Sequence, residues 1–312
     1  MPPCPGVHVE LAELLALRDQ ARGLALRPRQ VSQSPLAGQR VTRLRGRGLS
    51  FEELRPYWPG DDARLIDWKV TARLQRPFLR LFNEERDRPV LLLVDQRMNQ
   101  FFGSRHVFKS VLAAQAAALL GWTALAQHDR IGAVLFGDQT TTDLRPARSE
   151  RAFVHLLDEL SRHNRALHAG HLGDAPERLN AVLEHAGHLA RKDHLLILIS
   201  DLHGLDAQTR QQLAQLRRHN DLMVCWTHDP LLSGQPPVGE LVISDGHLQI
   251  SLDLDRPALR QQLALLRDQR QQEILSWQAD LGIPVVPLSS AEAAAPQLRQ
   301  WLGRSVREQR LG

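Results

Sequence analysis

Cysteine is nearly absent from this sequence: Cys4 and Cys225 are the only two in 312 residues. A pair so far apart supplies neither a disulfide framework nor a zinc-ligand spacing, which fits a reducing compartment. Lysine is almost as scarce. Of 39 basic residues only Lys69, Lys109 and Lys192 are lysine, and the rest are arginine. A GC-rich coding sequence accounts for most of that bias; the functional reading is a supply of planar forks for carboxylates or phosphates. Long apolar runs are missing too, since none reaches the ~18–20 residues needed to span a bilayer. The start, Met1-Pro2-Pro3-Cys4-Pro5, lacks the charged and apolar regions of a signal peptide. The expectation is a cytoplasmic protein that makes no use of a membrane. No Gly-x-Ser-x-Gly elbow and no His-Glu-x-x-His pair occurs, so the familiar serine-hydrolase and zinc-protease patterns are absent.

What is present suits a globular chain. Hydrophobic residues make up 43% and charged residues 24%, enough to bury a sizeable core without metal or disulfide staples. Charge is unevenly spread. Residues 1–90 carry 16 basic and 11 acidic side chains, whereas 91–312 carry 23 and 24. Arg22, Arg27, Arg29, Arg40, Arg43, Arg45 and Arg47 run without an acid between residues 20 and 48. Such an arm suits nucleic acid or an acidic protein face. It has no interleaved aromatics for base stacking, which disfavours nucleic acid.

Three regions follow from texture. Residues 1–45 hold an amphipathic helix near 8–26, marked by Leu11, Leu14, Leu15 and Leu24, and then the basic arm. Residues 46–88 are dense in charge, with Trp58 and Trp68 among them. Residues 89–312 alternate strand and helix. Apolar runs ending at Asp95 and Asp201 read as buried parallel strands, with further strands at Arg130 to Phe136, Leu222 to Trp226 and Ile283 to Leu288. Residues 105–127 read as a buried helix, and helices are expected near 149–162, 175–192, 206–219 and 291–302. Thr140-Thr141-Thr142 reads as an edge strand. A hairpin at 239–253, turning at Asp245-Gly246, and a long helix at about 256–281 form an insertion spanning about 230–281. The fold class is α/β, a doubly wound and mostly parallel sheet with an N-terminal helix and a charged, β-rich extension. In such sheets ligands bind beyond the carboxyl ends of strands, at the switch in strand order, where Asp95 and Asp201 fall.

Several constellations compete for a role. Gly103 to Ser110 nearly matches a phosphate-binding loop, but Phe108 stands where the second glycine must be. Histidines crowd 155–203: His155, His163, His168, His171, His185, His188, His194 and His203. A metal-dependent hydrolase using them is an alternative function, although a solvated helix face fits better, since zinc needs three or four convergent ligands. Asp61 and Asp62 sit in a Pro-Gly-Asp-Asp turn that suits backbone capping more than acid–base work.

A longer pattern occupies 46–137. Gly46-Arg47-Gly48-Leu49-Ser50-Phe51-Glu52-Glu53-Leu54-Arg55 leads into Pro56-Tyr57-Trp58-Pro59-Gly60-Asp61-Asp62. Arg64-Leu65-Ile66-Asp67-Trp68-Lys69-Val70-Thr71-Ala72-Arg73 follows, and Glu84-Glu85-Arg86-Asp87-Arg88 precedes the strand to Asp95. This resembles the bacterial family called domain of unknown function 58. The resemblance implies a von Willebrand factor A-like domain and no established enzymatic activity. It also implies partnership with a MoxR-type AAA+ ATPase in chaperone-like assembly or stress response. Many relatives carry two N-terminal membrane helices; this sequence shows none.

The resemblance further implies a metal-ion-dependent adhesion site, which holds Mg²⁺ by hard oxygen ligands. Asp95 and Asp201 match its two aspartates. Arg97 and Asn99 replace its two serines, and no threonine lies in Gly170-His171-Leu172-Gly173-Asp174. Arginine has only donors, and its charge opposes a divalent ion by several kcal/mol at an effective dielectric of ~20. The expectation is no cofactor, with any Mg²⁺ site at Asp95, Asn99 and Asp201 degenerate and the guanidinium paired with Asp95 or Asp201 in its place. Asp95, Arg97, Asn99 and Asp201 then form an interaction face. Arg55, Asp61, Asp62, Arg64, Asp67 and Trp68 mark the signature segment, which either docks a partner or braces the fold, with Trp68 as core in the second case.

Overall fold

The computed structural model describes residues 6–26, 49–58, 64, 66–84, 88–168, 170, 173, 175–233, 240–244, 249–253 and 256–307. The chain divides into two compact units, Met1–Val31 with Arg88–Gly312, and Ser32–Asp87. Of the basic arm, residues 27–48 lie outside the described residues, as do Asp61, Asp62, His171 and Asp174.

The larger unit is built on a six-stranded sheet. Its strands are β3 (Pro89–Asp95), β4 (Arg130–Phe136), β5 (Thr141–Ala147), β6 (Leu195–Ser200), β7 (Asp221–His228) and β10 (Val285–Ser289). Their order is β10-β7-β6-β3-β4-β5. All neighbours run parallel except β4 and β5, which are antiparallel. From β3 the chain moves outward to β4 and β5, then returns to the other flank as β6. The strand order therefore reverses between β3 and β6, and their carboxyl ends carry Asp95 and Asp201.

Alternation along β3 shows why the strands are apolar throughout. Val90, Leu92 and Val94 face one core, and Leu91 and Leu93 face the other. The first core is covered by α1 (Leu11–Ala16), α3 (Lys109–Ala126), α4 (Glu150–Ala166) and α9 (Ala294–Arg307). The second is covered by α5 (Arg178–Leu189), α6 (Ala207–Arg217) and the end of α8 (Pro257–Asp280), where Ile274 and Trp277 are fully buried. Each edge strand contains a proline, Pro146 in β5 and Pro287 in β10, which removes a ladder donor from both open edges.

Helix α3 lies at the centre. It is long and apolar enough by composition to cross a membrane, with a mean hydropathy of 1.2, but 83% of it is buried inside the protein. Its alanines let it approach the sheet and its neighbours closely. At Gly121 the approach is closest: a Cβ there would lie 2.2 Å from Cζ of Phe153. That ring packs edge-on to Trp122, with centroids 4.9 Å apart at 86°.

The N-terminal helix is shorter than its leucine spacing predicts. Helix α1 ends at Ala16 and the chain continues in turns, where Arg18, Arg22 and Leu24 bond i−3 carbonyls and Ala21 an i−4 carbonyl. Gly23 adopts φ +86°. The bend lets Val9, Leu14, Ala21, Leu24 and Leu26 all reach the core, which one straight helical face would not allow. Helix α3 also starts later than the sequence suggests, because Phe108 is extended and gives its N–H to Gly6 O.

The smaller unit pairs β1 (Leu49–Pro56) with β2 (Phe78–Glu84) in an antiparallel ladder, with a bulge between Phe51 and Glu53. Helix α2 (Trp68–Leu74) precedes β2. In the insertion, β8 (Glu240–Ser244) pairs with β9 (Gln249–Asp253), and α7 (Pro230–Ser233) is a single turn after β7.

Gly121→Val should destabilise the protein by about 1–3 kcal/mol, because the Phe153 ring has no room to retreat. Urea titration measures this. An unchanged midpoint would mean that α3 and α4 are not in close contact.

Candidate functional site

Beyond the carboxyl ends of β3 and β6, two acid–base pairs are set side by side. Asp95 ends β3 and is fully buried, and Arg97 two residues later is also fully buried. The guanidinium meets the carboxylate side-on. Arg97 Nε donates to Asp95 Oδ1 at 3.0 Å and Nη2 donates to Oδ2 at 2.7 Å. The backbone N–H of Arg97 adds a bond to Oδ1 at 3.0 Å, and Ser200 Oγ donates to Oδ2 at 2.6 Å. Four donors thus fill the lone-pair sites of one carboxylate.

The rest of the guanidinium ties loops together. Nη1 donates to the carbonyl of Ala175 at 3.0 Å and Nη2 to that of His203 at 3.1 Å. The first carbonyl lies in the α4–α5 loop and the second in the β6–α6 loop. Gly204 makes this convergence possible. It has φ +84°, and a Cβ there would lie 2.2 Å from the Pro176 carbonyl. Leu202 is held at φ 62°, a conformation rare for a non-glycine residue. Its side chain is buried in the second core and its N–H donates to Ser200 Oγ at 2.8 Å.

The second pair is Lys109 and Asp201. Lys109 Nζ reaches Asp201 Oδ2 at 2.6 Å, with side chains only 6% and 13% exposed. Asp201 Oδ1 accepts from Asn99 Nδ2 at 2.7 Å and from the N–H of His203 at 2.9 Å. Asn99 thus turns its amide donor to the site. Nearby, the N–H of Met98 donates to the buried carboxylate of Asp138 at 2.8 Å.

Charge is balanced locally. Burial works against the Arg97 cation, but Asp95, aided by Asp201 and Asp138, more than reverses this and raises its pKa. Burial likewise opposes the Asp201 anion, yet Lys109 and the three hydrogen bonds carry its pKa down to about 2. The surroundings thus favour the charged forms of Arg97 and Asp201.

A divalent cation does not fit these residues. Every oxygen it would need on Asp95 already accepts two donors, and the Arg97 guanidinium lies against that carboxylate. On Asp201, Lys109 takes Oδ2, and Asn99 and the His203 N–H take Oδ1. Two internal cations stand where a +2 ion would otherwise balance two aspartates.

The other constellations come apart in three dimensions. Among the described residues no three His, Cys, Asp or Glu side chains converge to hold a metal. His185 Nε2 instead lies 2.7 Å from Asp143 Oδ2, and His163 Nε2 lies 2.9 Å from Thr142 Oγ1. Burial lowers the pKa of His163 and of His228. The phosphate-loop lookalike has spent its amides: the N–H groups of Ser104, Val107, Phe108 and Lys109 bond Asp229, Ser290 O, Gly6 O and Phe102 O. Asp229 also accepts from Ser104 Oγ, Ser290 Oγ and Leu231 N. Ser104 thus donates straight to a carboxylate with no histidine between. Cys225 is buried and its thiol is pushed up to about 12 by desolvation, which leaves it unreactive.

In the signature segment, Asp67 is the N-cap of α2, accepting from Lys69 N at 3.0 Å and Val70 N at 3.2 Å. Arg64 is exposed. Trp68 is not core, being 70% exposed. The reason is that α2 has only seven residues and is held through its cap and through Thr71 Oγ1, which accepts from Phe78 N at 3.1 Å. Nothing is described of the Arg55 side chain.

Sequence reasoning missed Lys109 as the partner of Asp201. The available signal was its rarity, one lysine of three among 39 basic residues, at the start of a buried helix. Ser200, Asp138 and the two loop carbonyls carried no signal.

The pKa of Asp201 sets an acid limit. A folded value of about 2 against about 3.9 unfolded gives stability that is full above pH ~4 and lost as pH falls toward 2, on the order of 2 kcal/mol. Asp201→Asn should flatten the pH dependence of stability across that window. An unchanged slope in acid titration of the variant would show that Asp201 is not held ionised.

A family described as "Protein of unknown function DUF58" matches residues 53–273. Uncharacterized proteins of Mycobacterium bovis and of two strains of Mycobacterium tuberculosis are 28% identical over 290 residues, covering 92% of this chain and 86% of theirs. Two solved structures share weaker likeness, each covering 70% of this chain and 98% of its own. The conserved hypothetical protein BatB of Bacteroides thetaiotaomicron has 10% identity and a TM-score of 0.39. An aerotolerance-related membrane protein of Bacteroides fragilis has 11% identity and a TM-score of 0.41. With more than half its length matched, the chain belongs to the DUF58 family of proteins of unknown function.

Proposed function

We propose that this chain is a non-enzymatic protein-interaction module with a von Willebrand factor A-like fold. In this reading it is a cytoplasmic adaptor or partner of a MoxR-type AAA+ ATPase, in chaperone-like assembly or stress response, with a degenerate metal-ion-dependent adhesion site. The observation that carries the reading is the saturation of Asp95 by Arg97 and of Asp201 by Lys109. A face so closed offers no open metal position and no activated nucleophile. What it offers a partner is a preset arrangement of loops around Met98, Asn99 and His203.

The reading is tested by co-purification with an AAA+ ATPase encoded by a neighbouring gene. Wild type should be retained, and Asn99→Ala, which keeps both ion pairs, should weaken retention while leaving the far-UV circular dichroism unchanged. Retention equal to wild type would remove the sheet end as the contact. Calorimetric titration with Mg²⁺ or Mn²⁺ should give no binding heat. Micromolar binding abolished by Asp95→Ala would contradict the degenerate site.

A further inference from the structure

Helix α2 of the smaller unit presents an unusual face. Trp68 is 70% exposed, Leu74 is 53% exposed, and Trp58 at the exit of β1 is 66% exposed. All three lie at one end of the hairpin, where Tyr57 N bonds Pro77 O and β2 begins. Lys69, Ala72, Arg73, Gln75 and Arg76 are exposed beside them. At helical spacing, Lys69 and Arg73 form one row and Trp68 and Ala72 the next, and Arg76 follows just past the left-handed cap at Gln75. Among the described residues, Lys69, Arg73 and Arg76 have no carboxylate partner. Asp67, the acid next to α2 in sequence, is turned inward as the helix cap and is only 7% exposed.

We propose that this face docks an acidic segment of a protein partner. The occupant carries carboxylates for Lys69, Arg73 and Arg76, and an apolar side chain that covers Trp68. Composition favours a protein over the alternatives. Tryptophan and arginine are the residues on which protein interfaces concentrate their binding energy, and one or two of them suffice at the centre of a contact. Seven helical residues extend only about 10 Å. That length spans too few phosphates for strand binding, which needs a basic groove and successive stacking platforms. Three cations near a lipid surface supply only about 1 kcal/mol each. The site uses residues other than those of the sheet end, and its test needs no ATPase.

The test uses the full chain and a fluorescent synthetic peptide of leucines set among glutamates. Anisotropy should rise on binding and fall with added salt. Trp68→Ala and the pair Lys69→Glu with Arg73→Glu should each weaken binding about tenfold or more. These positions are exposed, so circular dichroism should match wild type. The same peptide with glutamine for glutamate should not bind. The proposal is overturned if the acidic peptide does not bind, or binds the variants equally well. It is also overturned if phosphatidylserine vesicles or random single-stranded DNA bind at lower concentration than the peptide.

Discussion

The buried pairing of Asp95 with Arg97 is the interaction on which the sheet end depends. Removing two opposite charges from water is costly, and their attraction repays this only when the geometry is good and the remaining donors are satisfied. Here the fork is side-on, and the two outer N–H groups reach the carbonyls of Ala175 and His203. One side chain thus joins the end of β3 to loops from either side of the strand reversal. Without that side chain, Asp95 would keep only the Arg97 backbone N–H and Ser200 Oγ, and the two carbonyls would lose a charged donor.

The second pair repeats the logic one strand over. Lys109 enters from the start of α3 and Asp201 from the end of β6. An α/β sheet places its strand ends and helix starts together at the switch in order, which is why such sheets bind ligands there. In this chain the positions are filled from within. The result is an ion-paired, hydrogen-bonded floor under surface loops. In the proposed role as an interaction module, this floor holds those loops in one shape, which lowers the entropy a partner must remove.

The sheet was legible because its signal is local. Leu91 to Val94 and Leu195 to Ile199 are apolar on both faces, and only buried parallel strands require that. The N-terminal helix was misread because leucine spacing says nothing about a later turn at Gly23. In the site, Asp95 and Asp201 could be found as charges closing apolar strands. The guanidinium's distant partners could not, since Ala175 and His203 lie 78 and 106 residues away in sequence and contribute only backbone oxygen. Trp68 stayed ambiguous for a different reason: a tryptophan on a short charged helix fits core or contact equally until its exposure is known.

A double-mutant cycle on Asp95 and Arg97, read by chemical denaturation, tests the central claim most directly. Arg97→Met and Asp95→Asn should each cost about 3–5 kcal/mol, because each leaves a buried partner unpaired. The double variant should cost little more than either alone, a coupling of about 3 kcal/mol. Additive losses with no coupling would contradict the account.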